Sequence, residues 1–135
     1  MAKAVVFWSG TGNTEAVAER VAQAAGADLI QAADFARDKA AAYDAIAFGC
    51  PAMGDEILEE SEFQPMYDAV KGSLAGKRVA LFGSYGWGDG QWMRDWEEDI
   101  LACGVQLVCE SVICTDAPDD DALAQCRALG AALSA

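Results

Sequence analysis

A glycine-rich segment that directly follows an apolar run is the feature that most constrains this chain. The run Ala4–Trp8 leads into Ser9–Thr14, with the sequence SGTGNT. Val5–Trp8 has the pattern of a buried strand, and apolar residues recur at helical spacing over Val17–Ala25, with Gly26 placed as a C-terminal cap. The segment therefore joins a strand to the N-terminus of a helix. Hydroxyls and unpaired backbone amides at such a junction favour a bound anion.

The residues around this segment narrow the anion that it can bind. A Walker loop requires a lysine before its last hydroxyl, and no basic residue lies between Lys3 and Arg20. A dinucleotide-binding loop requires a third glycine, and Glu15 occupies that position. We therefore expect a single phosphate monoester, bound without a cation.

Strand and helix patterns alternate along the rest of the chain, with short connections. The predicted strands are Val5–Trp8, Asp28–Ala32, Ala45–Cys50, Arg78–Gly83 and Val105–Cys114. Further helices are predicted over Asp38–Tyr43, Phe63–Gly72 and Gln91–Cys103, the last capped by Gly104, and a final helix begins near Asp119. This order predicts one α/β domain over residues 1–135, a doubly wound five-stranded parallel sheet with helices on both faces.

Three loops leave the carboxyl ends of the predicted strands, where open α/β sheets bind their ligands. They cover residues 9–14, 51–56 and 84–90. The first offers phosphate donors, the second a thioether beside a turn glycine, and the third aromatic rings among glycines. Together they describe a slot for a flat ring that carries a phosphate.

The four tryptophans divide into two groups. Trp92 and Trp96 share one face of a predicted helix and Trp8 ends an apolar strand, so we expect these three in the core. Trp87 lies between two glycines, where a stacking platform is the better interpretation. Met53 can cover the other face of a ring, because its side chain is flexible and polarisable. On position alone, either Met53 or Trp87 could instead fill a gap in the packing.

Charge and composition exclude several function classes. The formal net charge of -13 opposes binding to nucleic acid or to an anionic membrane, and it favours protein partners with basic docking surfaces. The chain has no histidine, and its five cysteines form no CxxC pair, so zinc and iron–sulfur sites lack their usual ligand spacing. Without an activated nucleophile, hydrolysis is also disfavoured.

The same features indicate a setting for the protein. Reduced cysteines that act as small buried hydrophobes fit a cytoplasmic protein. No apolar run reaches membrane-spanning length, and the N-terminal residues lead straight into a strand, so we expect neither an anchor nor a signal peptide. We also expect a monomer, because no exposed apolar stripe is evident.

Three segments of the chain together resemble the short-chain flavodoxins, small electron carriers that bind FMN. The matching segments are 8–15 (WSGTGNTE), 49–54 (GCPAMG) and 82–90 (FGSYGWGDG). They occur in the order and spacing of that family, and the resemblance runs the whole length of the chain.

The resemblance implies a set of FMN-binding residues. Those implied at the phosphate are Ser9, Gly10, Thr11, Gly12, Asn13 and Thr14. Those implied in the two later loops are Pro51, Ala52, Met53, Gly54, Asp55, Glu56, Ser84, Tyr85, Gly86, Trp87, Gly88 and Asp89. Met53 and Trp87 would cover opposite faces of the isoalloxazine, Glu56 would accept the ring N3–H, and the Gly86 and Asp89 amides would meet its pyrimidine edge.

The function implied is that of a low-potential one-electron carrier, not an enzyme, which shuttles between the semiquinone and hydroquinone of FMN. Carboxylates expected around the site would lower the potential and steer basic partners, such as reductases and ferredoxin-dependent enzymes; they are Asp55, Glu56, Glu59, Glu60, Glu62, Asp89 and Asp116. Two alternatives remain, a small flavin-dependent quinone or NAD(P)H oxidoreductase and a flavodoxin-like activator of ribonucleotide reductase.

Overall fold

Strands and helices alternate along the chain in the computed structural model, which describes residues 2–10, 12–53, 57–86, 90–115 and 118–134. The strands are β1 (Lys3–Phe7), β2 (Asp28–Gln31), β3 (Ala45–Gly49), β4 (Arg78–Tyr85), β5 (Gln106–Leu107) and β6 (Val112–Thr115). The α-helices are α1 (Asn13–Ala25), α2 (Arg37–Ala40), α3 (Phe63–Val70), α4 (Gln91–Leu101) and α5 (Asp120–Ser134), and single 3-10 turns cover Ala32–Asp34 and Lys71–Ser73. The predicted alternation is confirmed, with shifts of a few residues at the ends of some elements.

The strands form one parallel sheet in the order β2-β1-β3-β4, and β5 and β6 both pair with β4. Val5 of β1 lies opposite Leu29 on one side and Ala47 on the other. The chain order therefore reverses between β1 and β3, and the connections after these two strands leave toward opposite faces of the sheet. A crevice opens at such a point, at the carboxyl ends of the strands.

The prediction of one continuous strand over Val105–Cys114 is wrong in detail. Val79 of β4 pairs with Leu107 and Phe82 pairs with Val112, so a step of three residues on β4 corresponds to five on the neighbouring segment. The two extra residues bulge out of the ladder and divide the strand into β5 and β6. The bulge is fixed to α4, because the Ser111 hydroxyl donates to Glu97 Oε2 at 2.7 Å.

The two faces of the sheet have different cores. On one face, which we call the α1/α5 face, the helix residues are small or aliphatic: Val17, Ala18, Val21, Ala22, Ala25, Ala122, Cys126, Leu129 and Leu133. On the other, the α3/α4 face, they are mostly aromatic or methionine: Phe63, Met66, Tyr67, Val70, Trp92, Met93, Trp96 and Ile100. The expectation that Trp92 and Trp96 belong to the core is confirmed.

Gly130 sets the spacing between the two helices of the α1/α5 face. A Cβ at this position would lie 2.6 Å from the Cβ of Ala24 on α1, closer than side-chain carbons approach. α5 therefore packs backbone to backbone against α1.

Basic residues lie at the amino ends of the parallel strands, which is the end of the sheet opposite to the crevice. Arg78 Nη2 donates to the carbonyl of Ala132, and Lys3 Nζ donates to Ser134 Oγ at 3.1 Å, both in the last turn of α5. Positive charge at this point complements the unpaired carbonyls of the helix C-terminus. No helix within the described ranges is both long and apolar enough to cross a lipid bilayer.

Candidate functional site

A cleft of about 260 Å³ opens where the order of the strands reverses. Residues from all three predicted loops line it: Trp8, Ser9, Gly10, Asn13, Thr14, Pro51, Ala52, Met53, Ser84, Tyr85 and Gly86. Ten of these eleven are among the residues that the sequence assigned to the site. Among the described residues, hydroxyls, one amide side chain and apolar groups line the cleft, and Lys and Arg do not.

The first loop brings backbone and hydroxyl donors to the cleft. Ser9 Oγ accepts a hydrogen bond from the Gly12 amide at 3.0 Å, which closes the loop just before α1 begins at Asn13. No side chain of the described chain caps α1, so its first amides stay available to a ligand. Gly12 itself does not line the cleft, and Thr11 lies outside the described residues.

The second loop is closed by two hydrogen bonds between Met53 and Ile57, at 2.9 and 3.0 Å. The Ala52 amide donates to the carbonyl of Ser84 at 3.0 Å, which joins this loop to β4. Pro51, Ala52 and Met53 are half-buried at the cleft. The predicted ligands Gly54, Asp55 and Glu56 lie outside the described residues.

Two of the residues expected in the third loop belong to a strand instead. Ser84 and Tyr85 end β4, because the pairing with β6 extends as far as Tyr85. The hydroxyls of Ser84 and Thr14 are hydrogen-bonded at 2.9 Å and buried, so the first and third loops are tied together. The Tyr85 ring lies against Trp92, with ring centres 5.3 Å apart. Trp87, Gly88 and Asp89 lie outside the described residues.

The expectation of a core position for Trp8 holds only in part, because Trp8 packs against the core of the α3/α4 face without being fully buried. β1 ends at Phe7, and Trp8 is half-buried with its side chain lining the cleft. Its Nε1 donates to Glu62 Oε1 at 3.1 Å. Alternate residues of β1 face opposite sides of the sheet, and this alternation places Trp8 on the α3/α4 face. Trp8 also follows the carboxyl end of β1, where the crevice lies, so the sequence did contain a signal for its position at the cleft.

Glu59 is a buried structural carboxylate, contrary to the expectation of a charge on the rim of the site. Its side chain is 5% exposed and accepts hydrogen bonds of 2.6 to 2.8 Å from the Ser61 amide and hydroxyl and from the Glu62 and Phe63 amides. Burial by itself would raise the pKa of Glu59, but these donors outweigh it and lower the pKa to about 2. The carboxylate therefore fixes the entry into α3. The sequence contained one signal for this role, a carboxylate shortly before the apolar pattern of a helix.

Two of the other carboxylates expected around the site can be placed. Glu60 and Glu62 are exposed in the segment that follows the second loop. Asp116, like the acidic residues of the second and third loops, lies outside the described residues.

All five cysteines are reduced, and Cys50, Cys114 and Cys126 are buried. Burial raises the pKa of Cys50 to about 12 and that of Cys126 to about 11. Neither thiol is ionised near neutral pH, so neither is an activated nucleophile.

Comparisons with known proteins agree with this geometry. The sequence model of the family described as Flavodoxin matches residues 5–130. The chain is 47% identical over 121 residues to a flavodoxin of Clostridium beijerinckii, covering 86% of this chain and 88% of that protein. It is 42% identical over 133 residues to a flavodoxin of Megasphaera elsdenii, covering 95% of each. The solution structure of the two-electron reduced Megasphaera elsdenii protein superposes with a TM-score of 0.88, at 41% identity and 98% coverage of both chains.

Proposed function

This chain belongs to the flavodoxin family and is an electron carrier that binds FMN, and we infer that it holds FMN in the cleft between its three loops. The observation that carries this inference is the convergence of the three loops on one cleft at the crevice of the sheet. The match of the family to residues 5–130 supports a single FMN-binding domain over residues 1–135. The protein transfers electrons and does not turn over a substrate of its own.

The residues of the cleft fit both parts of the cofactor. At one end, Ser9, Asn13 and Thr14 offer hydroxyl and amide donors beside the uncapped start of α1, which suits a phosphate ester. At the other end, Pro51 and Met53 offer apolar surface for a flat ring.

The full proposed set combines these residues with others that rest on the sequence motifs. For the phosphate we propose Ser9, Gly10, Thr11, Gly12, Asn13 and Thr14. For the ring we propose Pro51, Ala52, Met53, Gly54, Asp55, Glu56, Ser84, Tyr85, Gly86, Trp87, Gly88 and Asp89, with Met53 and Trp87 on opposite faces.

When bound, FMN supplies the centre that accepts and releases electrons. The chain contributes binding and rigidity, because hydrogen bonds join the segments that line the cleft. Thr14 bonds to Ser84, Ala52 bonds to the Ser84 carbonyl, and the Trp92 indole donates to the Cys50 carbonyl at 3.2 Å. A site that is held in place in this way loses little conformational freedom when it binds its ligand.

The carboxylates near the cleft also give the site a negative field. One negative charge about 10 Å from the ring opposes an added electron by roughly 1.7 kcal/mol at an effective dielectric constant of ~20. A few such charges, partly screened by salt, lower a one-electron potential by roughly 100–200 mV. We therefore propose that Glu60, Glu62 and the acidic residues of the motifs make this a low-potential carrier.

Stepwise reduction of the FMN-loaded protein without oxygen tests this function. We expect the visible flavin bands to change in two separate one-electron steps, the second well below the potential of free FMN. A protein that retains no FMN would refute the cofactor assignment, and a second potential equal to that of free FMN would refute the proposed field.

The net charge of -13 supports docking to redox partners that carry basic surfaces, and we propose that the protein acts as a monomer. The rate of reduction by a reductase with a basic surface should fall as salt is added. A rate independent of salt would contradict electrostatic docking. Five cysteines without a disulfide support a place in the cytoplasm, where reducing conditions are kept.

A further inference from the structure

One hydrogen bond joins the first loop to the segment that follows the second. Trp8 Nε1 donates to Glu62 Oε1 at 3.1 Å, and the two residues are 54 positions apart in the sequence. Trp8 lines both the cleft and a smaller cavity of about 130 Å³, whose lining also includes Phe7, Ser9, Glu15 and Gln31. Trp8 packs against the core of the α3/α4 face but is only half-buried, so its hydrogen bond to Glu62 adds a second constraint on the orientation of the indole.

Glu62 is itself held at a fixed position. Its amide donates to Glu59 Oε1 at 2.7 Å, and the buried Glu59 carboxylate also binds Ser61 and Phe63. The Glu62 backbone therefore follows the entry into α3 and not the exposed loop surface. A hydrogen bond from a residue whose backbone is fixed in this way can hold the indole in one position.

The indole in turn lies against the phosphate loop. A Cβ at Gly10 would lie 3.0 Å from Cη2 and 3.3 Å from Cζ3 of Trp8, so even a methyl group at this position would require the ring to shift by a few tenths of an ångström. A change in the position of the Trp8 ring therefore changes the space that the loop around Gly10 can occupy.

We propose that Glu62 is a positioning residue for FMN binding, which holds the Trp8 indole as a wall of the cleft and thereby fixes the phosphate loop at Gly10. This rests on the proposed function, in which the cleft binds FMN. Electrostatics alone predicts the opposite behaviour, because removal of an acidic residue near the site would favour an anionic phosphate ester.

The rate at which FMN leaves the loaded protein measures this role. Recovery of free-flavin fluorescence on dilution gives the rate for Glu62→Ala, Trp8→Phe, their double variant and Glu62→Gln. Glu60→Ala is the matched control, since Glu60 is also exposed and carries the same charge. Thermal unfolding of each variant verifies that it folds.

We expect Glu62→Ala and Trp8→Phe each to speed FMN release about five-fold, the equivalent of about 1 kcal/mol for one hydrogen bond. The double variant should also be about five-fold faster, because both changes remove the same contact. Glu62→Gln should stay within about two-fold of the unchanged protein, since its amide oxygen still accepts the indole N–H. Glu60→Ala should leave the rate unchanged or lower it.

Two results would overturn the proposal. One is a Glu62→Ala variant that behaves like Glu60→Ala, and the other is a double variant in which the two single effects multiply. The variant Met53→Ala distinguishes a wrong role for Glu62 from a wrong assignment of the FMN-binding site. If FMN is retained and Met53→Ala does not change its release, the cleft is not the binding site.

Discussion

The two faces of the sheet reach full burial in different ways. On the α1/α5 face, small side chains and Gly130 let two helices approach closely, and the buried hydroxyl pair of Thr14 and Ser84 lies at the end of this face next to the cleft. On the α3/α4 face, large rings fill the space and bring polar atoms with them. Tyr67 Oη donates to Asp99 Oδ2 at 2.7 Å, and Trp92 Nε1 donates to the Cys50 carbonyl.

The difference teaches where each face is vulnerable. Where two helices pack closely through small apolar residues, added volume lowers the stability, because the neighbouring atoms belong to the backbone and cannot move aside. A face with buried polar atoms loses stability when one partner is removed and the other stays unsatisfied. Polar contacts of both faces reach the site, since Thr14 bonds to Ser84 on the α1/α5 face and Trp92 bonds to the Cys50 carbonyl on the α3/α4 face.

Loss of the Glu59 charge should have the largest effect. Glu59→Gln removes a carboxylate that accepts four hydrogen bonds, and the pKa change from 4.5 to about 2 corresponds to about 3 kcal/mol of folding free energy at pH 7. Because the pKa is lower in the folded state, this contribution is complete above about pH 5 and is lost as the pH falls toward 2.

Urea unfolding at pH 7 and pH 3 measures the Glu59 effect. The difference in unfolding free energy between Glu59→Gln and the unchanged protein should be less than half as large at pH 3 as at pH 7. Glu60→Gln, a change at the exposed neighbour, should cost no more than about 0.5 kcal/mol. An equal loss of stability in both variants would contradict the role of Glu59 at α3.

An added methyl group on the α1/α5 face should have the next largest effect. Alanine inside a helix normally stabilises it by about 1 kcal/mol relative to glycine. Gly130→Ala should instead destabilise the protein by about 2 kcal/mol, because its Cβ overlaps Ala24. Chemical denaturation should show the opposite behaviour for Gly72→Ala, whose Cβ would meet no atom within 4 Å. Equal effects at the two glycines would show that the helices can separate at little cost.

The two tryptophans of α4 allow a matched test of the α3/α4 face. Trp92 Nε1 has the Cys50 carbonyl as its partner, whereas Trp96 Nε1 is buried without a hydrogen-bond partner among the described residues. Both substitutions to phenylalanine remove similar volume, so Trp92→Phe should cost about 1 kcal/mol more than Trp96→Phe. Unfolding free energies at equal FMN saturation measure the difference. A larger loss for Trp96→Phe would mean that ring volume, not the polar partner, dominates this face.

The smallest effect is expected for an exposed charge on the same face. Lys71 Nζ lies 3.5 Å from both Asp68 and Asp99, with all three side chains partly exposed to solvent. Lys71→Gln should change the unfolding free energy by less than about 0.5 kcal/mol, and added salt should reduce even that difference. A loss close to that of Trp92→Phe would show that exposed polar contacts matter as much as buried ones.

Local patterns in the sequence predicted most of the architecture. Alternation of apolar strands with amphipathic helices predicted the parallel sheet, and the three loops at strand ends predicted the residues that meet at the cleft. α1 ends at Gly26 as predicted, because a glycine in the left-handed conformation can cap a helix.

Two of the differences from the sequence analysis involve contacts between distant segments, and the third involves backbone amides close to the residue itself. The bulge between β5 and β6 depends on the ladder with β4 and on Glu97 of α4. Trp8 resembles a core residue until Glu62 and Gly10 are placed beside it. Glu59 resembles its exposed acidic neighbours until the amides at the start of α3 turn toward it. Local periodicity gives the face on which Trp8 lies, but it does not identify Glu62 as the partner of Trp8 or Glu97 as the partner of the bulge.

The basic residues at the start of the strands also have a consequence for encounters in solution. Lys3, Lys77 and Arg78 lie at one edge of the sheet and offset its acidic residues there, whereas Glu60 and Glu62 lie beside the cleft at the opposite edge. We therefore expect an electric dipole whose negative pole is the cleft side. In the field of a partner with the basic surface proposed above, such a dipole would experience a torque that turns the cleft toward the partner before the two surfaces touch.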